Sequence, residues 1–339
     1  MVASREKRPT IRDVAREAGV SYQTVSRVLN NQPKVSLETR KRVLETMERL
    51  GYQRNLAAQM LTTHRSQTLQ IVAVDATFPI ELHSVTHSAN EAGYLSFYVE
   101  CTRETLARTF DIAASRLVDG IYLHAPKLHI ADDELVRISH GIPLVRRDYA
   151  VDSNLTWVGF DQLEAGRMIV QHLIDLGHCH IAEITGSIDF INPLFRHEAY
   201  VATLTAHGLE PGPSLAGDYS THALAMKTGY ERTCQLIRSG ARFTALIVGN
   251  DKMAIGALHA LREHNLRIPE DVSVASFDDA PHAQYMAPPL TVVEFDFPLQ
   301  DRLVFQHLFE RIENPEAEHV QHVLMPNLII RKSTAPVSD

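Results

Sequence analysis

Along the first fifty residues apolar side chains recur at intervals of three and four, and beyond Thr68 they gather into short runs. That change of period divides the chain into a helical head and an alternating body. In the head, Ile11, Val14 and Ala15 set a helical spacing behind Thr10, whose hydroxyl suits an N-cap. Gly19 breaks this helix in the turn Glu17-Ala18-Gly19-Val20. Ser21 then caps a second helix over 22–29, with Val25, Val28 and Leu29 inward and Tyr22, Gln23, Ser26 and Arg27 outward or near its N-terminal end. After Asn30-Asn31-Gln32-Pro33, Ser36 caps a third helix running to about Leu50, with Val43, Met47 and Leu50 inside and Gly51 as its stop. Three short helices with a glycine turn between the first two predict a helix-turn-helix.

The stretch from Gln53 to Leu61 is rich in helix formers but too short to be stable alone. It is expected to order only on DNA beside a second copy. From Thr68 the runs 69–74, 95–99, 120–123 and 143–145 read as strands, with helices between them that include 104–117. The alternation restarts with a helix at about 162–176, a strand at 181–184, a helix at about 194–207, and strands at 245–248 and 272–276. Strands alternating with helices imply parallel sheets flanked by helices, here in two halves. The expected fold class is α/β: an all-α head on a body of two subdomains. The boundaries are 8–53 for the head, 54–66 for a hinge and 67–339 for the body. Its N-subdomain takes about 67–160 and 295–323, and its C-subdomain about 161–294 and 324–339.

Composition narrows the class. The chain has 339 residues, 45% of them hydrophobic and 22% charged, as in ordinary globular proteins. No apolar run approaches the ~20 residues of a membrane helix, and the charged N-terminus does not read as a secretory signal. Three scattered cysteines, Cys101, Cys179 and Cys234, fit reduced thiols in the cytoplasm. The net charge of −8 hides an asymmetry: residues 1–65 hold 13 Lys and Arg against 6 Asp and Glu, and the rest hold 20 against 35. A basic head on an acidic body concentrates attraction for phosphates at one end.

The outward residues of the second helix suit base readout, since Gln bonds adenine bidentately, Arg bonds guanine, and Tyr and Thr24 supply stacking, phosphate or methyl contacts. In the hinge, Leu61 is a candidate wedge between base steps, and Ala58 is small enough for close approach. In the body, ligands of open α/β folds bind at the carboxyl ends of strands. Arg103, Asp148, Arg196, Asn250 and Asp278 all follow strands. Asp and Asn bond vicinal hydroxyls and a guanidinium spans two of them, which suits a sugar. Tyr219 offers a ring face to a pyranose. Singly, Asn250 and Asp278 also read as helix caps or turn formers, and the arginines as surface ion-pair partners. Catalysis has no comparable support: no G-x-G-x-x-G, G-x-x-x-x-G-K-[ST] or G-x-S-x-G follows a strand. His83 and His87 near Glu81 form no H-E-x-x-H, so no metal, cofactor or catalytic residue is expected.

The run Thr-Ile-Arg-Asp-Val-Ala-Arg-Glu-Ala-Gly-Val-Ser-x-x-Thr-Val-Ser-Arg-Val-Leu-Asn over 10–30 resembles the LacI/GalR family of transcriptional regulators. Val35-Ser36 and Leu50-Gly51-Tyr52 extend the match, and Ser21 to Val28 is similar to the recognition helix of its lac-type members. The resemblance covers nearly the whole chain and implies a two-subdomain, periplasmic-binding-protein-like effector domain. It implies base and backbone contacts at Thr10, Ser21, Tyr22, Gln23, Thr24, Ser26, Arg27, Asn30, Ala58 and Leu61. It implies effector contacts at Arg103, Asp148, Asn192, Arg196, Tyr219, Asn250 and Asp278, with Phe297 lining the pocket. Met253, Ile255, Gly256, Leu258 and Tyr285 resemble the family's dimer face, and no leucine heptad tail follows Thr334, so a homodimer is expected. The implied function is a repressor on a near-palindromic operator, released by a small sugar inducer, with galactosides among the candidates. The alternatives are a corepressor-dependent regulator or one that senses another carbohydrate. Asn192 stands where the family usually has a small hydroxyl residue, Phe295 replaces an amide, and the segment 75–79 is several residues short.

Overall fold

The computed structural model describes residues 9–29, 33–53, 65–75, 82–127, 130–150, 152–218 and 221–337. Asn30, Ala58, Leu61 and Tyr219, four of the expected site residues, lie outside them. The chain separates into two compact units, residues 1–66 and 67–339.

The first unit contains α1 (Ile11–Glu17), α2 (Tyr22–Leu29) and α3 (Leu37–Leu50). Thr10 and Asp13 form a capping box at the start of α1, where each side chain accepts from the other's backbone N–H. The hydroxyls of Ser21 and Ser36 accept from the Thr24 and Thr39 amides. Gly19 and Gly51 both sit at φ +62°, a left-handed turn that ends a helix at little steric cost in glycine. The core is small: Val14, Ala15, Ala18, Val25, Val28 and Val43. On α3 the enclosed residues are Val43 and Thr46, whose hydroxyl bonds the Arg42 carbonyl, whereas Met47 and Leu50 are only half-buried.

The second unit holds two six-stranded sheets. The first is built of β1 (Thr68–Val74), β2 (Leu95–Cys101), β3 (Gly120–His124), β4 (Leu144–Arg146), β5 (Trp157–Phe160) and β11 (Gln321–Leu324). Its order is β11-β5-β4-β3-β1-β2, with every neighbouring pair parallel. The second sheet is built of β6 (Ile181–Thr185), β7 (Ser214–Ala216), β8 (Ala245–Val248), β9 (Ser273–Asp278), β10 (Thr291–Glu294) and β12 (Asn327–Ile329). Its order is β12-β10-β9-β8-β6-β7, and only β12 runs antiparallel to its neighbour. Central strands such as β1 and β8 are almost wholly buried, as parallel strands covered on both faces must be.

The helices of this unit are α4 (Leu82–Glu91), α5 (Leu106–Ser115), α6 (Asp132–Ile138), α7 (Gln162–Asp175), α8 (Ile191–Ala206), α9 (His222–Arg238), α10 (Asp251–Glu263) and α11 (Phe297–Glu313). The chain crosses between the sheets after β5, after β10 and after β11, so three strands of backbone join the halves. Strand order reverses beside β1 in one sheet and beside β6 in the other, the positions at which open α/β folds carry their ligand crevice. Among the described residues no helix is long and apolar enough to cross a membrane.

Candidate functional site

On α2 the helical period sorts the side chains. Val25 is fully enclosed and Val28 nearly so, which turns Tyr22, Gln23 and Arg27 outward. Tyr22 keeps 52% of its surface exposed. Thr24 and Ser26 are half-buried at the flanks, and the Thr24 hydroxyl lies 2.9 Å from that of Ser21. Arg40 of α3 donates to the Val28 carbonyl and Arg49 pairs with Glu17 at 3.1 Å, so the helices are tied behind the exposed face. A short helix with a flat polar face, braced from behind, has the dimensions and donors that the major groove accepts.

In the body, one expected residue ties neighbouring strand ends in each sheet. Asp148, just after β4, accepts from the Ala125 amide at the end of β3 (2.5 Å). Its other oxygen lies 2.9 Å from His124 Nδ1, close enough for an ion pair but not aligned as a hydrogen bond. Burial works to raise this carboxyl, yet His124 and the Ala125 N–H outweigh burial and hold it below the ordinary range. Arg196, on the second turn of α8, reaches the switch point between β6 and β8 and donates from Nη1 to the Gly249 carbonyl after β8 (3.1 Å). Its Nε donates to Gln162 (2.8 Å), and its Nη2 lies 3.6 Å from Asp278. Burial raises the Asp278 carboxyl above its ordinary range, and Arg196 only partly opposes that.

An aromatic row runs beside the crossovers, with Phe160, Phe277 and Phe295 buried and Phe297 half-buried. The Arg196 guanidinium stands over Phe277 (4.3 Å) and Phe295 (4.8 Å). Phe295 meets Phe160 at 5.0 Å, and Phe160 meets Phe297 at 5.8 Å. Arg147 then covers Phe297 at 5.2 Å. Two arginines, one from each half, therefore bracket a continuous run of rings. The halves also meet at the rim, where Tyr149 packs edge-on against Phe195, Ile191 donates to the Pro126 carbonyl, and Lys127 lies over the Phe190 ring.

Asn250 is buried and caps α10 by accepting from the Met253 amide (2.8 Å). Asp278 has φ +92° and Asp279 +58°, an unusual pair of left-handed residues at the end of β9. Arg331 clamps the Asp279 carboxylate from both guanidinium ends. Asn192 is half-buried on the first turn of α8. Arg103 lies past the end of β2, where its guanidinium pairs with Glu134 and its amide donates to Asp75. Of the five polar groups expected at strand ends, Arg196, Asp278 and Asn250 gather round β8 and β9, Asp148 stands across the crevice, and Arg103 is committed to Glu134.

Phe160, Phe277 and Gln162 had not been singled out from sequence, nor had Arg147. The signal for Arg147 was its place beside Asp148 at the end of a strand, where an arginine needs a carboxylate partner; that partner, Asp301, lies 154 residues away. Among the described residues no three His, Cys, Asp or Glu side chains gather as a metal site would require. His87 pairs with Glu91 (3.4 Å). Met253 and Leu258 are interior, and Gly256 lies against the Met226 carbonyl where no side chain fits, so α9 packs closely on α10 there. Ile255 and Tyr285 are exposed.

Residues 10–55 match the model of the bacterial regulatory proteins of the lacI family, and residues 170–334 match a periplasmic binding protein-like domain. The HTH-type transcriptional repressor PurR of Haemophilus influenzae is 30% identical over 97% of this chain and 99% of its own length. The ribose operon repressor of Escherichia coli is also 30% identical, over 96% of this chain and 99% of its own. A crystal structure of the lac repressor dimer bound to operator and the anti-inducer ONPF superposes with a TM-score of 0.85. It is 27% identical and covers 97% of this chain and 100% of its own.

Proposed function

We propose, from the premise that this chain belongs to the LacI family and is a DNA-binding transcriptional repressor, that it binds a near-palindromic operator as a cytoplasmic homodimer and is released by a small sugar held in the crevice. The observation that carries the DNA half is α2, where Tyr22, Gln23 and Arg27 stand exposed on a helix whose opposite face is locked by Val25 and Val28. Tyr22, Gln23 and Arg27 read bases, Ser26 and Asn30 contact flanking groups, and Thr10, Ser21 and Thr24 address the backbone. Ala58 and Leu61 of the hinge approach the minor groove.

A single head of this size contacts one half-site, and two-fold symmetry supplies the second. The body offers apolar side chains for that pairing: Leu224, Met226 and Ile255, each 37% exposed, and Tyr285 at 81%. Gly256 against the Met226 carbonyl brings the first three onto one surface. In the crevice, Asp148, Asn192, Arg196, Asn250 and Asp278 address hydroxyls while Phe297 and Tyr219 address ring faces, and Arg103 acts from the margin. A sugar bound to one arrangement of the halves more tightly than to another shifts the population between them, and the operator-free state is favoured. A second reading, a corepressor with a flat base, is favoured by the aromatic row alone. The proposal includes no catalytic step: the family is one of transcriptional repressors.

Selection of bound sequences from a random DNA pool tests the operator claim. A recovered site with two inverted half-sites supports it, and a site without two-fold symmetry contradicts it.

A further inference from the structure

Loops that leave the carboxyl ends of the two sheets touch each other. The segment after β3 runs through Pro126 and Lys127, and the segment after β6 runs through Phe190 into α8. Lys127 and Phe190 pair as an isolated antiparallel bridge, and the Ile191 amide donates to the Pro126 carbonyl (3.1 Å). The Lys127 ammonium lies 5.3 Å from the centre of the Phe190 ring. After β4, Tyr149 meets Phe195 of α8 edge-on at 5.7 Å and rests against Trp157 at 5.4 Å. Phe190 and Ile191 are only 5% and 7% exposed, although neither belongs to the apolar cores behind the sheets. Asp148 anchors the first segment by accepting from the Ala125 amide.

Strand order sets these contacts apart from the crossovers. The crossovers leave β5, β10 and β11, whereas β3 stands two strands from β5 and β6 stands three strands from β10. At about 4.8 Å per strand, the contacts lie ~10–14 Å from the covalent links. Links on one side and contacts on the other therefore enclose the gap between the two carboxyl edges.

We propose that Pro126, Lys127 and Tyr149 on one half and the N-terminal turn of α8 on the other form a latch that holds the body together before any ligand binds. The Ile191 amide carries the inference. It is the first amide of α8, a position where a helix offers no internal partner, so its hydrogen bond comes from the opposite half. A backbone bond, a cation over a ring and an edge-on ring pair together favour the latched arrangement by on the order of ten- to a hundredfold. That is enough to populate it and little enough for it to open repeatedly. A ligand between the sheets enters and leaves only while the latch is open, so the latch slows both steps.

Residue-resolved hydrogen exchange on the full chain, without ligand or DNA, tests the latch. The Ile191 amide should exchange at least tenfold more slowly than an unstructured amide. Lys127→Ala and Tyr149→Ala, both in the opposite half, should each speed it at least threefold while the amides of β6 and β8 keep their rates. Lys127 is exposed, so Lys127→Ala decides the matter if Tyr149→Ala fails to fold. Purely local capping of α8 would leave the Ile191 rate indifferent to both. An Ile191 amide that exchanges at the unstructured rate, or that neither folded variant moves, overturns the proposal. Trapping gives a second reading: partners in an antiparallel bridge have Cα atoms about 4.5–5.5 Å apart, within the reach of a disulfide. Mild oxidation of the Lys127→Cys, Phe190→Cys double variant should give a 127–190 cross-linked peptide as its main product. Oxidation that yields only links between molecules contradicts the latch. Neither measurement uses a ligand, so a failed latch leaves the effector reading standing.

Discussion

On α2, Tyr22, Gln23 and Arg27 stand in solvent with no hydrogen-bond partners among the described residues, whereas Arg196 in the crevice is bound to Gln162, the Gly249 carbonyl and Asp278 and lies over two rings. The two regions meet their partners from opposite starting points. The reading helix keeps its donors free, and its fold depends on the buried valines behind them. In the crevice the proposed recognition groups already satisfy one another, so a ligand bound there would exchange bonds instead of simply adding them. Substitution therefore has different consequences. A change on α2 subtracts binding alone, while a change in the crevice subtracts stability and binding together.

Removing Arg196 should break the comparison open most widely. Arg196→Ala strands the Asp278 carboxylate and the Gly249 carbonyl and empties the space between Phe277 and Phe295, so a loss of about 3 kcal/mol in unfolding free energy is expected. Denaturant melts of the isolated body would show it, and an unchanged midpoint would mean that the crevice is not self-supporting. Gln23→Ala and Arg27→Ala come next, each with about 1–3 kcal/mol lost against the preferred base and none in stability. Fluorescence anisotropy on operator variants checks the first part, and equal losses on every sequence would show a backbone role. Leu61→Ala should weaken operator binding by a smaller, sequence-tolerant amount, which the same titrations measure.

The smallest effect separates the regions by pH. Of 18 histidines only His64 falls in the first unit. In the body, burial depresses His172 and His178, which hold the C-terminal segment through Thr334 and the Ala335 carbonyl. A depressed histidine stabilises the fold above its unfolded pKa of about 6.5 and loses that contribution as pH falls. His197 runs the other way, because its bond to Glu183 raises it and favours the fold at low pH. Burial depresses His319 and His322 as well, so with four lowered imidazoles against one raised the body should melt a few degrees lower at pH 5.5 than at pH 7.5, and the head should not shift. A body that melts higher at pH 5.5 would mean that the His197 pair outweighs the four depressed imidazoles.

The same contrast decided what could be read from sequence. The head was legible almost to the residue, since a cap, a glycine stop and a 3.6-residue period are local signals, and Thr10, Gly19, Ser21 and Gly51 all act as such. Strands 69–74 and 245–248 were legible because buried parallel strands are continuous apolar runs. β5, β7, β11 and β12 were not, being three or four residues long and stabilised by neighbours far along the chain. Interior α10 residues looked like an interface, because an apolar stripe does not say which apolar surface it meets. In the crevice, strand ends pointed to Asp148, Arg196 and Asp278, but the aromatic row and the Arg147–Asp301 pair join residues as much as 154 positions apart. Only the folded chain brings them together.

The central claim is that occupation of the crevice governs the exposed reading helix. Operator-bound protein titrated with the tightest-binding neutral sugar tests it most directly, with anisotropy of labelled operator as the readout. The account predicts release of the DNA from wild-type protein and continued binding by Arg196→Lys at the same sugar concentrations. Operator binding that tightens on adding sugar would contradict the inducer assignment, and binding that never responds would contradict the coupling itself.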